Sequence, residues 1–376
     1  MRITQRSLRR ASLCSALPSS TEQGSFAGTH LAKCGVALLG ALLILFFLRR
    51  GFLVIFLALK ILGHPTALDA WTGAVLHQTV SFSGIPVDVY GNPKADPAIM
   101  IVHGVNPTGK NSLDLVRISE ALAQAGYAVY VPDFVEMKRL HLRPEEAANI
   151  KTVFRGIGRH AGIACFSYGC GPTLIAAADP DIRDQVRFAV AFGGYFDIRE
   201  ALEHVITGPA QSIGYLKWAY LRANSDLVRD EGDQRRLQKI AETEGAASEN
   251  LSAEGQALLQ IFNASSPEDF RARLNAGPET LRRRLDGLSP SRYMKALRAP
   301  LIVVHGINDP VIPAQQSVEL AEAARTNGLA CDLTLLHMYG HVQPVLPDVG
   351  AASLFAFYLP EAVRFLSVVN EVVAIQ

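Results

Sequence analysis

The chain has 376 residues, 49% of them hydrophobic and 19% charged, with a formal net charge of +1. That length can bury one large core or two ordinary ones. The near-neutral charge, with no basic stripe interleaved with aromatics, argues against nucleic acid as a partner. Of the five cysteines, Cys14, Cys34, Cys165, Cys170 and Cys331, none forms a CxxC and none shows a paired spacing. Neither a disulfide framework nor a cysteine metal site is therefore expected. Cys165 and Cys170 read as small buried hydrophobes, and free thiols point to a reducing compartment.

Residues 1–30 are polar, carry Arg2, Arg6, Arg9 and Arg10, and are expected to be disordered. Ser7-Leu8-Arg9-Arg10 resembles a twin-arginine signal faintly, but the apolar run begins too far downstream. Gly35 to Leu48 is unbroken apolar sequence; Arg49-Arg50 interrupts it, and Gly51 to Leu59 resumes it. A bilayer-spanning helix takes about 20 apolar residues. One continuous span over 35–62 would place two arginines near mid-membrane, at about 2.5–3.5 kcal/mol each. A span over 31–48 with Lys33 snorkelling, then an interfacial helix over 51–62, costs less. A re-entrant hairpin and a buried soluble helix are the other arrangements. Residues 31–62 are thus expected to form a retained membrane anchor, with its orientation open because positive charges flank it on both sides.

From about residue 79 the pattern alternates between strands and helices. Thr79–Ser83 and Val87–Tyr90 read as a hairpin around Gly84-Ile85-Pro86. Ala98–His103 is a continuous apolar strand of a sheet buried on both faces. Ser112 is placed to cap a helix with Leu113, Val116, Leu122 and Ala123 facing inward and Gly126 at its end. Tyr127–Val131 is the next strand. A helix starts at Pro144 and runs to about Gly156. Ile163–Phe166, Val186–Phe192, Leu301–His305 and Cys331–Leu336 continue the strand series, with a helix from about Ala314 to Thr326. The final helices are expected to break at Pro360. Strands separated by helical segments imply parallel βαβ units.

Residues 198–290 interrupt that series with short helices near Tyr215–Leu227, Gln234–Thr243 and Glu254–Phe262. A further one starts at Ser266-Pro267-Glu268-Asp269. This insertion reads as a helical cap or lid, or as a solvated subdomain without a role in substrate choice. Tyr215 and Trp218, three apart, share a helix face and are candidates to line an apolar acyl pocket. Packing of the cap onto the sheet domain is the plainer role for both.

The chemistry gathers at Cys165-Phe166-Ser167-Tyr168-Gly169. A strand turns sharply into a helix there, as in a nucleophile elbow that lifts a hydroxyl clear of the sheet. Cys165 stands where the Gly-x-Ser-x-Gly pattern has glycine and crowds the turn. Asp309 follows the strand Leu301–His305, and His341 follows the last strand across Gly340. A hydroxyl, an imidazole and a buried carboxylate are what acyl transfer requires. The oxyanion hole needs two backbone N–H groups; Tyr168, just after the nucleophile, and Val105, beside Gly104, are the candidates. Asp197 is the reserve acid and His337 the alternative base, while His103 and His305 are expected to hold turns. His103, His305 and His341 make no zinc-site spacing, so no metal is expected. No phosphate loop or dinucleotide fingerprint is present, so no cofactor is implied.

Residues 79–374 resemble the α/β-hydrolase family through four motifs in order: His103-Gly104, the Ser167 elbow, the Asp309 turn with Pro313, and Gly340-His341. The resemblance implies an α/β-hydrolase fold, with an eight-stranded, mostly parallel sheet whose first strands are antiparallel. Its core is then 79–197 and 291–374, with the cap 198–290 inserted before the acid-bearing strand. It does not imply a substrate, because this fold hosts many chemistries; the trio Ser167, Asp309 and His341 itself leads us to expect a serine hydrolase acting on a small, lipophilic acyl substrate. An ester is the expected bond, with thioester and amide as variants. An acyltransferase, or a catalytically silent binding module at a membrane, are the alternatives. The oligomeric state is left open.

Overall fold

A computed structural model describes residues 49–208, 210–247, 249–345, 347, 350 and 353–374. The chain divides into two units, Met1–Leu53 and Val54–Gln376. In the first unit the described residues 49–53 are helical; the expected disordered segment and the expected span over 31–48 lie outside the described residues. Among the described residues no helix is long and apolar enough to cross a membrane.

The second unit opens with α1 (residues 54–61) and α2 (Ala67–Thr72). The hairpin β1 (His77–Phe82) and β2 (Ile85–Tyr90) follows. Ser83 and Gly84 both have positive φ, 52° and 85°, as a two-residue turn matched to the twist of paired strands requires. β2 therefore starts two residues nearer the turn than Pro86 suggested, while β1 ends one residue earlier than expected, at Phe82. Next come β3 (Ala98–Val102), α3 (Leu113–Gln124), β4 (Ala128–Pro132), α4 (Val135–Lys138), α5 (Glu146–Ile157) and β5 (Ala161–Phe166). After β5 stand α6 (Cys170–Ala177) and β6 (Val186–Phe192). Between β6 and β7 (Leu301–Gly306) lie α7 (Ile198–Thr207), α8 (Ala210–Ala223), α9 (Glu231–Glu242), α10 (Ala253–Phe262), α11 (Pro267–Ala276) and α12 (Glu279–Leu288). The chain ends with α13 (Gln315–Thr326), β8 (Cys331–Leu336) and α14 (Leu359–Ala374).

The eight strands form one sheet in the order β1-β2-β4-β3-β5-β6-β7-β8. β2 runs antiparallel to both its neighbours, and the pairs from β4 through β8 are parallel. The chain has the α/β-hydrolase fold. Every residue of β3, β4 and β7 is buried, which is why these strands are apolar throughout rather than alternating. Successive side chains alternate between two cores. Met100, Val102, Ile163 and Val303 join the core that also contains α5 and α6 residues. Ile99, Ile101, Val129 and Ala164 join Leu115 and Leu122 of α3 on the opposite face.

Several local expectations shift. In α3 the buried residues are Leu115, Ser119, Ala121 and Leu122, while Leu113 is exposed. Leu122 is thus inward as expected and Val116 and Ala123 are partly buried against the same core, but Leu115 takes the place expected of Leu113, and the Ser112 side chain makes no cap bond. At α11 the start signal holds: Ser266 Oγ accepts from Asp269 N–H at 3.2 Å, with Pro267 in the first turn. Pro360 sits in the first turn of α14, where its missing N–H costs nothing. A π-helical turn, Leu354–Tyr358, precedes it, so the proline opens a helix instead of breaking one.

Ser83 is a non-glycine residue in the left-handed region, a position at which asparagine is enriched. Ser83→Asn should stabilise the protein by on the order of 0.5 kcal/mol, seen as a higher denaturant midpoint. A lower midpoint would refute this account of the turn.

Candidate active site

The site forms where β3, β5, β7 and β8 end together at the carboxyl edge of the sheet. β5 stops at Phe166, and Ser167 turns with φ at 52°. A non-glycine residue held there stores strain, which tends to collect at functional sites. The turn Ser167–Gly169 leads directly into α6. Its neighbours must be small. A Cβ on Gly104 would lie 2.9 Å from Phe166 O and 3.0 Å from Ser167 Cβ, and one on Gly169 would strike the carbonyl of His103. These contacts bring the His103-Gly104-Val105 turn against the elbow.

Cys165 and Cys170 are bonded to each other across Ser167, with Cα atoms 4.9 Å apart. This corrects the expectation of inert buried thiols. The two cysteines are far too close in sequence to suggest a framework, but the elbow folds the strand end back onto the first residue of α6. Where glycine would merely leave space, Cys165 uses it for a cross-link. Cys331 is a free thiol.

His341 stands in a tight loop after β8, closed by the Tyr339–Pro344 bridge and by Val345 N–H donating to Met338 O at 2.7 Å. Asp309 stands in the turn after β7. The two turns meet because Gly306 has no side chain; a Cβ there would strike the carbonyls of Tyr339 and Gly340. Ser167 Oγ lies 2.5 Å from His341 Nε2, and His341 Nδ1 lies 2.6 Å from Asp309 Oδ2. With Nδ1–H donating to the carboxylate, Nε2 is left to accept the serine proton.

Asp309 is fully satisfied. Oδ1 accepts the N–H groups of Val311 and Ile312 at 2.7 and 3.0 Å. Oδ2 lies 2.6 Å from His341 Nδ1 and 3.1 Å from His305 Nε2. Burial disfavours its charge, but the hydrogen bonds from His305 and His341 outweigh that and hold its carboxyl at about 2. A depressed carboxylate contributes stability that is complete above the unfolded value and lost as pH falls through the folded one, here between about pH 4 and pH 2.

His305 is the partner that the sequence did not disclose. Its Nδ1 lies 2.6 Å from Ser317 Oγ and its Nε2 2.9 Å from Ile312 O. Nε2 therefore carries the proton and Nδ1 accepts from the serine. Its position four residues before Asp309 was the available signal. His103 holds a turn as expected. It accepts the Phe134 N–H at 3.0 Å and faces Gly104 O at 2.7 Å, and burial pushes its pKa down.

The reserve residues lie elsewhere. Asp197 caps α7, accepting from Arg199 N–H and Ser289 Oγ, each at 2.9 Å. His337 faces the buried Glu361 at 3.1 Å. Among the described residues, no group of three His, Cys, Asp or Glu is placed to hold a metal.

Ser167 and His341 line two cavities. One, of about 150 Å³, is bounded by polar backbone and side chains at His103, Asn106 and Ser112. The other, of about 180 Å³, lies under α7 and α8 and is lined by Val205, Tyr215, Leu216 and Tyr220. Val105 borders both, and Tyr168 borders the second. Tyr215 thus reaches the cavity, while Trp218 does not. The Trp218 ring is buried against Gly245, where a Cβ would lie 2.6 Å from it. Three-residue spacing put both on one side of α8, but the turn after α9 covers Trp218 first.

No family model matches the chain, and none of the curated proteins matches it in sequence. Solved structures do resemble it in fold. Acylaminoacyl peptidase from Pyrococcus horikoshii is 15% identical with a TM-score of 0.45; the match covers 77% of this chain and 40% of the peptidase. Est1E from Butyrivibrio proteoclasticus is 16% identical with a TM-score of 0.43, over 79% of this chain and 99% of that one. The 2-hydroxy-6-oxo-6-phenylhexa-2,4-dienoate hydrolase from Rhodococcus sp. strain RHA1 is 15% identical with a TM-score of 0.42, over 78% and 98%. Likeness at this level carries no argument: the fold is read from the sheet topology and activity from the site.

The cross-link should contribute about 2 kcal/mol through closure of its short loop. Cys165→Ala/Cys170→Ala should lower the denaturant midpoint accordingly. Alkylation under denaturing, non-reducing conditions should spare both cysteines; labelling of both would exclude the bond.

Proposed function

We propose that this chain is a serine hydrolase that cleaves carboxylic esters through an acyl-enzyme on Ser167. The observation that carries the reading is the unbroken relay from Ser167 Oγ to His341 to Asp309. Ser167 Oγ attacks the acyl carbon as its proton passes to His341 Nε2. The imidazolium is stabilised by the buried Asp309 carboxylate, already ionised at neutral pH. The backbone N–H groups of Val105 and Tyr168 are the donors proposed for the oxyanion. His341 then gives its proton to the leaving alcohol, and water, deprotonated by His341, frees the acid. The cavity under α7 and α8 supports reading residues 198–290 as a cap over this chemistry, with Tyr215, which lines it, as the residue proposed to meet the substrate.

Membrane attachment is proposed on the apolar run 31–62. Support comes from α1: Val54, Leu57 and Ala58 are buried, while Ile55 and Leu59 on another face are exposed. A helix apolar all round is suited to an apolar surrounding. The Cys165–Cys170 bond favours an oxidising compartment. Removal of residues 1–48 leaves the buried residues of α1 in place. Full-length protein should remain with membranes through a high-salt wash, because apolar burial is not screened by salt, and the truncated chain should not. Full-length protein free in solution without detergent would exclude the anchor.

A fluorophosphonate probe should label the wild type and not Ser167→Ala, with both proteins folded. Asp309→Asn should cut ester turnover on the order of 10⁴-fold, while Asp197→Asn, which keeps a side-chain oxygen to accept the Arg199 N–H, should leave turnover and the α7 cap nearly unchanged. Equal labelling of Ser167→Ala and wild type would sink the assignment. A turnover loss with Asp197→Asn but not with Asp309→Asn would reassign the acid.

A further inference from the structure

A third cavity, of about 230 Å³, lies on the α3 side of the sheet and takes no part in the site described above. Its floor is Ile101, Ala164 and Val190, its walls are Ile118 and Val369, and Leu57 of α1 roofs it. Among the described residues only two charged ones border it, Asp114 and Arg117, and these pair with each other at 3.4 Å. Protein interiors rarely leave apolar space of this size unfilled, because each cubic ångström of void forfeits packing energy.

The cavity adjoins the nucleophile. Asp114, Ile118, Phe166 and Val342 line both this chamber and the smaller cavity that contains Ser167 and His341. Phe166 immediately precedes the nucleophile and Val342 immediately follows the base. These four residues border reaction centre and chamber alike. Phe166, which is only half-buried, stands between the two.

We propose that this chamber is a binding site for an unbranched hydrocarbon tail of the ester, with the carbonyl at Ser167 and the tail running past Phe166 and Ile118 to lie beneath α1. The proposal rests on the serine-hydrolase reading for its carbonyl end. The occupant follows from the lining, which apart from the Asp114–Arg117 pair is predominantly apolar, combines aliphatic side chains with the rings of Phe166, Phe192, Tyr339 and Phe365, and adjoins a site that handles a carbonyl. It also separates the tail from the cap, whose cavity lies on the other side of Ser167 and is rich in tyrosine. Either an acyl or an alkoxy chain has the required chemistry.

The test uses the full-length chain in detergent. One arm varies the acyl group of p-nitrophenyl esters from acetyl to palmitoyl; a second varies the alkoxy group of acetate esters over the same lengths. In one of the two series kcat/KM should rise roughly fourfold per methylene, equivalent to about 0.8 kcal/mol each, until the chamber is full. That series identifies which end of the ester enters. Val190→Trp and Val369→Trp, on the floor and on a wall, should each move the maximum to shorter chains. A flat profile in both series overturns the proposal. So does a profile that neither variant moves although both melt as folded proteins, because the tail then lies under the cap. An independent measurement is saturable binding of a fluorescent dodecanoate to Ser167→Ala, lost when Val190→Trp is added. Binding lost in this way without any ester cleavage would leave the chamber standing and remove the hydrolase reading. Ester cleavage without dodecanoate binding would do the reverse, and would mean that protein fills the chamber in the full chain.

Discussion

The carboxylate of Asp309 is the point on which the candidate site turns. A bare charge in that position would be prohibitively costly, since burial removes its water without replacement. Each of its oxygens is instead supplied: two backbone N–H groups on one, and two imidazoles on the other. The same bonds fix the turn after β7, the ring of His341, and through His305 the start of α13, because His305 also contacts Ser317. Removing any one partner leaves the charge short of a donor, so the turn, the base and the helix are held as a set.

That set can assemble only because backbone meets backbone at three glycines. Gly104 lies against the elbow, Gly169 against the carbonyl of His103, and Gly306 against the carbonyls of Tyr339 and Gly340. The parallel sheet delivers all four strand ends to one edge, where ligands of open α/β sheets bind. It does not by itself bring them within hydrogen-bond reach. The missing side chains do that, and the positive φ of Ser167 then aims the hydroxyl into the gap.

Much of this was legible because its signals are local. Strands such as Ala98–Val102 and Leu301–Gly306 are buried on both faces, and an unbroken apolar run says so. Serine, aspartate and histidine each follow a strand, and order along the chain sufficed to nominate them. What escaped depends on folding back. Cys165 and Cys170 meet only because the elbow reverses the chain. His305 holds the turn after β7 as expected, through Ile312 O, but that its ring also supports Asp309 shows only once the turn has folded back. Trp218 and Tyr215 are equivalent on a helical wheel, but only one of them is covered by the turn at Gly245. In α3, Leu113 and Leu115 are equally apolar, and the choice between them belongs to the sheet beneath.

The apolar stretch before the sheet shows the same limit from the other side. Composition marks 51–62 as hydrophobic without saying what it meets. In the fold, Val54, Leu57 and Ala58 bury one side of α1, and Lys60 is tied to Asp69 and Gln124 at 2.7 and 2.8 Å. Lys60 thereby joins the end of α1 to both α2 and α3. Residues that look like part of a membrane segment are therefore structural parts of the second unit. The side chains that roof the aliphatic chamber belong to the same helix, and its remaining exposed face is apolar as well. A helix with one apolar side inward and another outward brings an apolar surrounding and an apolar interior within one helix diameter of each other, about 10 Å. On the proposed anchor and chamber, a hydrocarbon tail moving between them would cross very little water, which would give the placement of α1 over the chamber a physical rationale.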